Sequence, residues 1–345
     1  MRPPWKADVL SVDRLMTDVM RRVGYAALVI VLVTFGVSLL LHFSPGSVAQ
    51  IVLGEEATPE NIAALERELG LDRPFFVQYL DWLWHAVRGD LGTSPITGRS
   101  VTQSIAERLP VTLEIAALAL IISLSVAVVL AVLSATAPNS ALDRGINAVT
   151  SVILSIPTFV AGPLLIFLFA ITFKGFPALG WTSIEAGLGP NLRAAFLPAL
   201  AAGLVEIASF HRVLRADLIG TLREDFVAAA RAKGMGRAYV LFRHAFRPSS
   251  FSLLTVSGLS LARLIGGTII VEALFVLPGL GQLITQSIAQ RDVITVQGVV
   301  AFIAIVFVII NTLVDVGYGL IDPRVRRAPR VQRKPKATIK KEAAV

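Results

Sequence analysis

Side chains able to do chemistry are few in this sequence, and their types exclude more than they permit. There is no cysteine, which removes a thiol nucleophile, a disulfide framework and an iron–sulfur site. No Lys directly follows a Gly, so the Gly-Lys-Ser/Thr core of a phosphate-binding loop is absent. The four histidines, His42, His85, His211 and His244, are scattered without a His-Glu-x-x-His, and no serine stands in a Gly-x-Ser-x-Gly turn. The chain has no visible means of using ATP or of hydrolysing a bond. No catalytic residue, metal ion, cofactor or nucleic-acid partner is expected. If it moves a solute against a gradient, the energy must come from an ion gradient or from a partner.

The remaining candidates are ionisable residues inside apolar stretches, where burial in lipid is costly and function is the default reason to retain them. Glu114, Glu206, Arg263, Glu272 and Asp315 are such residues. Arg263, midway along its stretch, and Glu272, toward the outer end of the same stretch, are the candidates for lining a translocation path. For Arg263 a hydrogen bond to carbonyls of a neighbouring helix is an equal alternative, because no central carboxylate is evident. An ion-coupled carrier would want paired central charges and internal repeats, and a passive channel would want filter-like loops. Neither pattern is seen.

The elements that would position these residues follow from composition. Of 345 residues, 54% are hydrophobic and 16% charged, and the mean hydropathy is +0.71. That profile belongs to polytopic membrane proteins. A crossing needs about 20 mainly apolar residues. Six stretches qualify: about 22–42, 109–137, 148–173, 192–210, 251–277 and 294–321. Pro198 and Glu206 weaken the fourth, with Glu206 near its cytoplasmic end, and Pro157 is expected to kink the third. With six crossings, 23 of the 32 Lys and Arg residues fall on one side. The positive-inside rule then puts both termini in the cytoplasm. The fold class is all-α, a polytopic membrane protein with six transmembrane helices.

The domains follow: a cytoplasmic segment 1–21, a membrane domain 22–321 and a basic cytoplasmic tail 322–345. The first crossing reads as a retained helix, not a signal peptide, because it is long and "HFSPGS" is a poor cleavage site. Before it, Val9, Val12, Leu15, Met16, Val19 and Val23 recur near helical spacing, as in a helix lying on the membrane, or in a polar extension that frays. The tail, with Pro329 and Pro335, should be drawn to anionic lipid. Residues 43–108 form the one sizeable outer segment. Thr58 as N-cap, Pro59 in the first turn and Gly70 as stop predict one helix there, and "PFFVQYLDWLWHAV" predicts a second. It is a docking surface or a cap that only shields helix ends.

One cytoplasmic stretch, "DFVAAARAKGMGRAYVLFRHAFRPS" at 225–249, carries five Lys or Arg. Thr221 and Asp225 are candidate N-terminal caps. "FVAAARAK" predicts a helix, Gly234 and Gly236 a turn, and "RAYVLFRHAF" a second short helix ended by Pro248. Such a helix pair could plug a groove on a soluble partner, its alanine face allowing close approach. It could equally be an amphipathic loop held by headgroups.

Here "AAARAKGMG" with "VLFRHAFRPS" resembles the EAA loop of ABC importer permeases. The wider chain is similar to the first of the two permease types of dipeptide/oligopeptide/nickel importers. "ELGLDRPFFVQYLDWL", "RGDLGTSPITGRSV", "ERLPVTLEIA", "SIPTFVAGPLLI", "IIVEALFVLPGLGQLI" and "NTLVDVGYGLIDPRVR" carry the likeness, in that order. The resemblance implies a type I ABC importer permease fold in a bacterial inner membrane. It makes 211–249 a coupling loop with Ala228, Ala229, Ala230, Lys233 and Gly234 at the motif positions. Ala stands where the general motif has Glu, and the motif's terminal Leu-Pro is missing, Arg247-Pro248 being nearest. The implied partners are a second homologous permease, two ATP-binding subunits, an extracytoplasmic substrate-binding protein and membrane lipid. Peptides are the expected substrates, with nickel chelates, glutathione-like compounds and opines or sugars as alternatives.

Overall fold

The computed structural model describes the backbone of residues 6–43 and 46–321, and the side chains of 20–21, 24–43 and 46–314. Among these residues there are helices and turns, with one isolated antiparallel bridge between Thr93 and Ser100. The expected basic tail, and the side chains of the amphipathic N-terminal segment and of Asp315, lie outside the described residues.

Helix α1 (Lys6–His42) is continuous and becomes apolar from Gly24. Three short helices form the outer cap: α2 (Val48–Leu53), α3 (Pro59–Glu68) and α4 (Phe75–Val87). The local signals that foretold α3 operate as expected. Thr58 Oγ1 accepts from the Asn61 N–H at 3.3 Å, Pro59 opens the helix, and Gly70 sits just beyond it at φ +67°. The membrane body follows as α5 (Val101–Thr136), α6 (Ala141–Ser155), α7 (Thr158–Leu165, prolonged as a π-helix to Thr172) and α8 (Leu188–Thr221). Then come α9 (Asp225–Ala232), α10 (Arg237–Tyr239), α11 (Phe246–Phe275), α12 (Leu280–Ala289) and α13 (Val293–Ile321).

Among the described residues, five helices are long and apolar enough to cross a bilayer, and α6 with α7 makes a sixth crossing if taken together. That pair corrects the expected third span. The kink foreseen at Pro157 is a break, with the two helices bent by 109°. The cause is local. Pro157 disfavours the helical conformation in the residue before it, and Ile156 is extended at φ −91°, ψ 116°.

The centre is the pairing of α5 with α8. Small buried residues recur along one stripe of α5: Ala116, Ala119, Ser123, Ala127, Ala131, Ser134 and Ala135. Small residues let membrane helices approach until their backbones nearly touch. At Gly203 of α8 a Cβ would meet the Ala119 carbonyl oxygen at 3.0 Å, and Ser123 Oγ donates to the Gly203 carbonyl at 2.9 Å. Helix α11 packs on both, and α13 packs on α11. Large side chains of the same helices, such as Ile121, Val129 and Leu254, are exposed to what would be lipid.

Helix α1 lies outermost, on α13 and α4. Polar bonds hold it: Thr34 Oγ1 to the Tyr79 hydroxyl at 2.9 Å, the Tyr79 hydroxyl to the Val31 carbonyl at 3.0 Å, and Gln297 to Ser38.

Candidate coupling loop and intramembrane polar site

The stretch after α8 forms a rigid knob. Val227 and Ala230 of α9 bury against Val240, with Leu222 and Met235 packed around them. Gly234 closes α9 at φ +80°. Its N–H bonds the Arg231 carbonyl at 2.9 Å, and the Met235 N–H reaches the Ala230 carbonyl at 3.3 Å. These two bonds, with Met235 turned onto the α9 core, make a Schellman ending, which needs a left-handed residue at this position. A Cβ at Gly234 would meet nothing within 4 Å, so the requirement is conformational. Lys233, the preceding residue, is exposed at the negative end of the helix.

Three expectations for this loop need correction. The N-cap of α9 is Glu224, with no side-chain cap bond, and Asp225 is the first helical residue. Thr221 instead ends α8, where its hydroxyl accepts from Ser249 Oγ at 3.0 Å. The three alanines do not form one face: Ala228 and Ala229 point outward, and Ala230 is buried. Nor does Pro248 end the second helix. The chain runs from α10 through a π-helical turn, Val240–Ala245, straight into α11. Proline clashes with the carbonyl four residues back; here that residue is His244, inside the widened turn.

The knob is thus the apex of α8 and α11. Leu241 and Ala245 pack with Phe210, Leu214, Leu218 and Leu253 in one buried cluster that also includes Ala127, Ala131 and Ala135 of α5. The outward surface carries Ala228 and Ala229 with exposed Phe226, Tyr239 and Phe242. Nearby, Asp143 at the start of α6 is buried and held by Arg215 of α8, Nε to Oδ1 and Nη2 to Oδ2, both at 2.7 Å. Ser134 of α5 joins the same carboxylate, and the Asn139 N–H donates to it at 2.8 Å. A bidentate pair of this kind fixes geometry as well as adding energy. The α5–α6 connection is therefore clamped to α8 about two turns before the knob begins.

A second polar group lies between α8 and α11. Arg263 Nη2 donates to Glu206 Oε2 at 3.2 Å and Oε1 at 3.3 Å, and to Ser260 Oγ at 2.6 Å. Ser260 Oγ in turn donates to Glu206 Oε2 at 2.6 Å. The expectation that Arg263 has no central carboxylate is overturned. Helix α8 continues eleven residues past Phe210, the point where the fourth span was expected to end. Glu206 is therefore near mid-helix, level with Arg263. The Glu206 side chain is 9% exposed and that of Arg263 54%. One side of the guanidinium is anchored and the other faces out of the chain.

Glu272 is placed differently. It is fully buried, so within this chain it lines no open path, contrary to expectation. Its Oε2 accepts from the Gly281 N–H at 2.6 Å at the start of α12. The carboxylate fills the space beside Gly279 and Gly281 where a Cβ would stand. The "GLG" of the sequence is the cradle for this side chain, and Thr112 of α5 caps the same turn by accepting from Leu280 N–H at 2.9 Å. No sequence signal links Glu272 to these glycines beyond their nearness in the chain.

Comparison with known proteins identifies the family. Residues 127–327 match the family described as "binding-protein-dependent transport system inner membrane component", and residues 15–116 match the N-terminal region described for the membrane component of such systems. A provisionally named peptide transport system permease protein of Brucella abortus is 39% identical over 309 residues, covering 89% of this chain and 98% of that protein. The dipeptide transport system permease protein of Alkalihalophilus pseudofirmus is 32% identical over 315 residues, covering 86% and 94%. The crystal structure of an amino acid ABC transporter with histidines is similar at a TM-score of 0.48 and 19% identity, covering 65% of this chain and 94% of that one.

Proposed function

The chain belongs to the family of binding-protein-dependent transport system inner membrane components, and from that premise we propose that its 225–234 helix and turn receive the stroke of an ATP-binding subunit. The protein is a permease subunit of an ABC peptide importer, a multi-pass inner-membrane component without catalytic chemistry of its own. It works with ATPase and substrate-binding partners. We assign it a second homologous permease and two ATP-binding subunits, with 1–21, the 211–249 loop and 322–345 in the cytoplasm and 43–108 outside. Peptides are favoured over nickel chelates, opines or sugars by the relatives named for peptide and dipeptide transport.

One observation carries the coupling assignment. The knob exposes Ala228, Ala229, Phe226, Tyr239 and Phe242 while its inner side is continuous with α8 and α11. Aromatic side chains on a rigid base suit a groove on a partner. Ala228 and Ala229 make the close contact, Ala230 holds the helix to its base, Lys233 faces the partner and Gly234 sets the turn. ATP binding closes the ATPase pair and favours an outward-facing arrangement of α8 and α11; hydrolysis releases it. The partner shifts this balance only as far as it binds one arrangement better than the other. Arg263, held by Glu206 and open on its other side, lines the path between the two permeases.

Because the chain has no cysteine, Ala229→Cys provides a single reactive site. In the assembled complex it should cross-link to a cysteine in the ATP-binding subunit's cleft, with a yield that changes between nucleotide-free and ATP-bound states. Reaction with lipid-phase reagents alone, and no adduct with the ATPase, would refute the assignment.

A further inference from the structure

A second feature, a cavity, lies outside the α5–α8–α11 body. Between the outer ends of α1 and α13 and the cap helices α3 and α4 is a cavity of about 410 Å³. That is within the size range of small-ligand sites, about 300–1,000 Å³. One wall is aromatic, from Phe75, Tyr79 and Trp82. It is rigid: the Tyr79 hydroxyl bonds Thr34 and the Val31 carbonyl, and Trp82 Nε1 donates to the Leu91 carbonyl at 3.3 Å.

The rest of the lining carries charge of both signs. Glu66, Asp81 and Asp90 face the cavity with Arg73 and Arg291. Glu66 Oε1 accepts from Ser47 Oγ at 2.6 Å, and Asp90 Oδ1 from the Gly92 N–H at 2.9 Å. Asp81 is shared between Arg73 at 3.7 Å and His85 at 3.8 Å, so the acids that suit an ammonium group are Glu66 and Asp90. Three acids beside two guanidiniums disfavour a polyanion such as a nucleotide, and the charges disfavour an acyl chain. They suit a small zwitterion with an apolar side chain. Glu66 on α3 and Arg291 just before α13 put an acid and a guanidinium on two different elements of the lining, as the two ends of a short peptide require.

We propose that this cavity binds a short zwitterionic peptide, ammonium toward Glu66 and Asp90, carboxylate toward Arg291, and apolar side chain against Phe75, Tyr79 and Trp82. The choice of a peptide over other zwitterions rests on the peptide-importer reading. The site is separate from Arg263 and Glu206. A bound peptide bridges the cap to α13, which packs on α11, and so reports external peptide to a helix that leads into the coupling loop.

The test uses the complete complex in nanodiscs of phosphatidylcholine and phosphatidylglycerol, without the external binding protein, and radiolabelled Ala-Phe at equilibrium. Saturable binding is expected, weakened at least tenfold by N-acetylation or C-amidation of the dipeptide. Glu66→Gln, which keeps an acceptor for Ser47, and Arg291→Gln should each weaken it similarly. Absence of saturable binding to the wild-type complex, or binding indifferent to both cavity variants, overturns the proposal. So does loss of binding when phosphatidylethanolamine is included, which would give the cavity to a lipid headgroup. Uptake of Ala-Phe by the same complex with its binding protein separates the two readings. Uptake without cavity binding removes the cavity proposal alone, and cavity binding without uptake removes dipeptide import.

Discussion

At the scale of residues, Glu206 and Arg263 make the clearest energetic case. A guanidinium near the bilayer centre costs about 2.5–3.5 kcal/mol or more when it has no partner. The carboxylate of Glu206 and the hydroxyl of Ser260 offset that cost on one side only. Removing either charge has different consequences. Glu206→Gln leaves Arg263, half-exposed and still bonded to Ser260, beside a neutral amide, and should lower the melting temperature in detergent only modestly. Arg263→Gln leaves the nearly buried Glu206 carboxylate with Ser260 as its remaining partner, so the complex should still assemble but with the larger loss of melting temperature of the two variants. Its uptake rate should then depend on substrate charge, falling most for peptides with a free C-terminal carboxylate. Equal rates for all peptides in an assembled Arg263→Gln complex would remove Arg263 from the path. The sequence displayed both residues but not their pairing, which depends on how far α8 continues beyond Phe210. Hydropathy could not supply this, because Arg212 and Arg215 look like a helix end and are instead part of the same helix.

At the scale of elements, the question is what makes the knob move with the membrane helices. Two fixings are visible: the shared cluster of α8, α11 and α5, and the clamp of Asp143 by Arg215. Breaking one partner of a buried pair costs about 3–5 kcal/mol, because the other charge is left buried. Arg215 is partly exposed, at 23% of its side chain, and can recover some hydration. Asp143 cannot. Arg215→Ala should therefore destabilise the purified complex more than Asp143→Ala, measured as loss of melting temperature. The opposite order would show that the clamp is not limited by the carboxylate. Elements with purely local causes were legible in the sequence. Thr58, Pro59 and Gly70 bounded α3, and Gly234 marked the end of α9. What escaped was non-local or altered backbone periodicity: the π-turn that carries Pro248 into α11, the 109° break at Pro157, and the Arg215–Asp143 contact across 72 positions.

At the scale of the whole molecule, orientation and energy coupling are joined. If the basic loops are inside, the knob meets an ATPase; if they are outside, it cannot. Ala337→Cys, in the basic tail, should stay unlabelled by impermeant maleimide in intact cells and react once the membrane is opened, and a cysteine at Glu60 on α3 should do the reverse. Labelling of Ala337→Cys from outside would contradict the topology. Coupling itself is tested most directly at Gly234. A non-glycine residue in the left-handed conformation costs about 1–2 kcal/mol, and open space around the Cα means the substitution tests the turn and not a steric clash. The measurement is ATP hydrolysis and peptide uptake by the complete complex in liposomes, with binding protein and peptide, for wild type and Gly234→Leu. The account predicts that the variant assembles, and that uptake and peptide-stimulated hydrolysis fall together. Undiminished uptake by an assembled Gly234→Leu complex would contradict it.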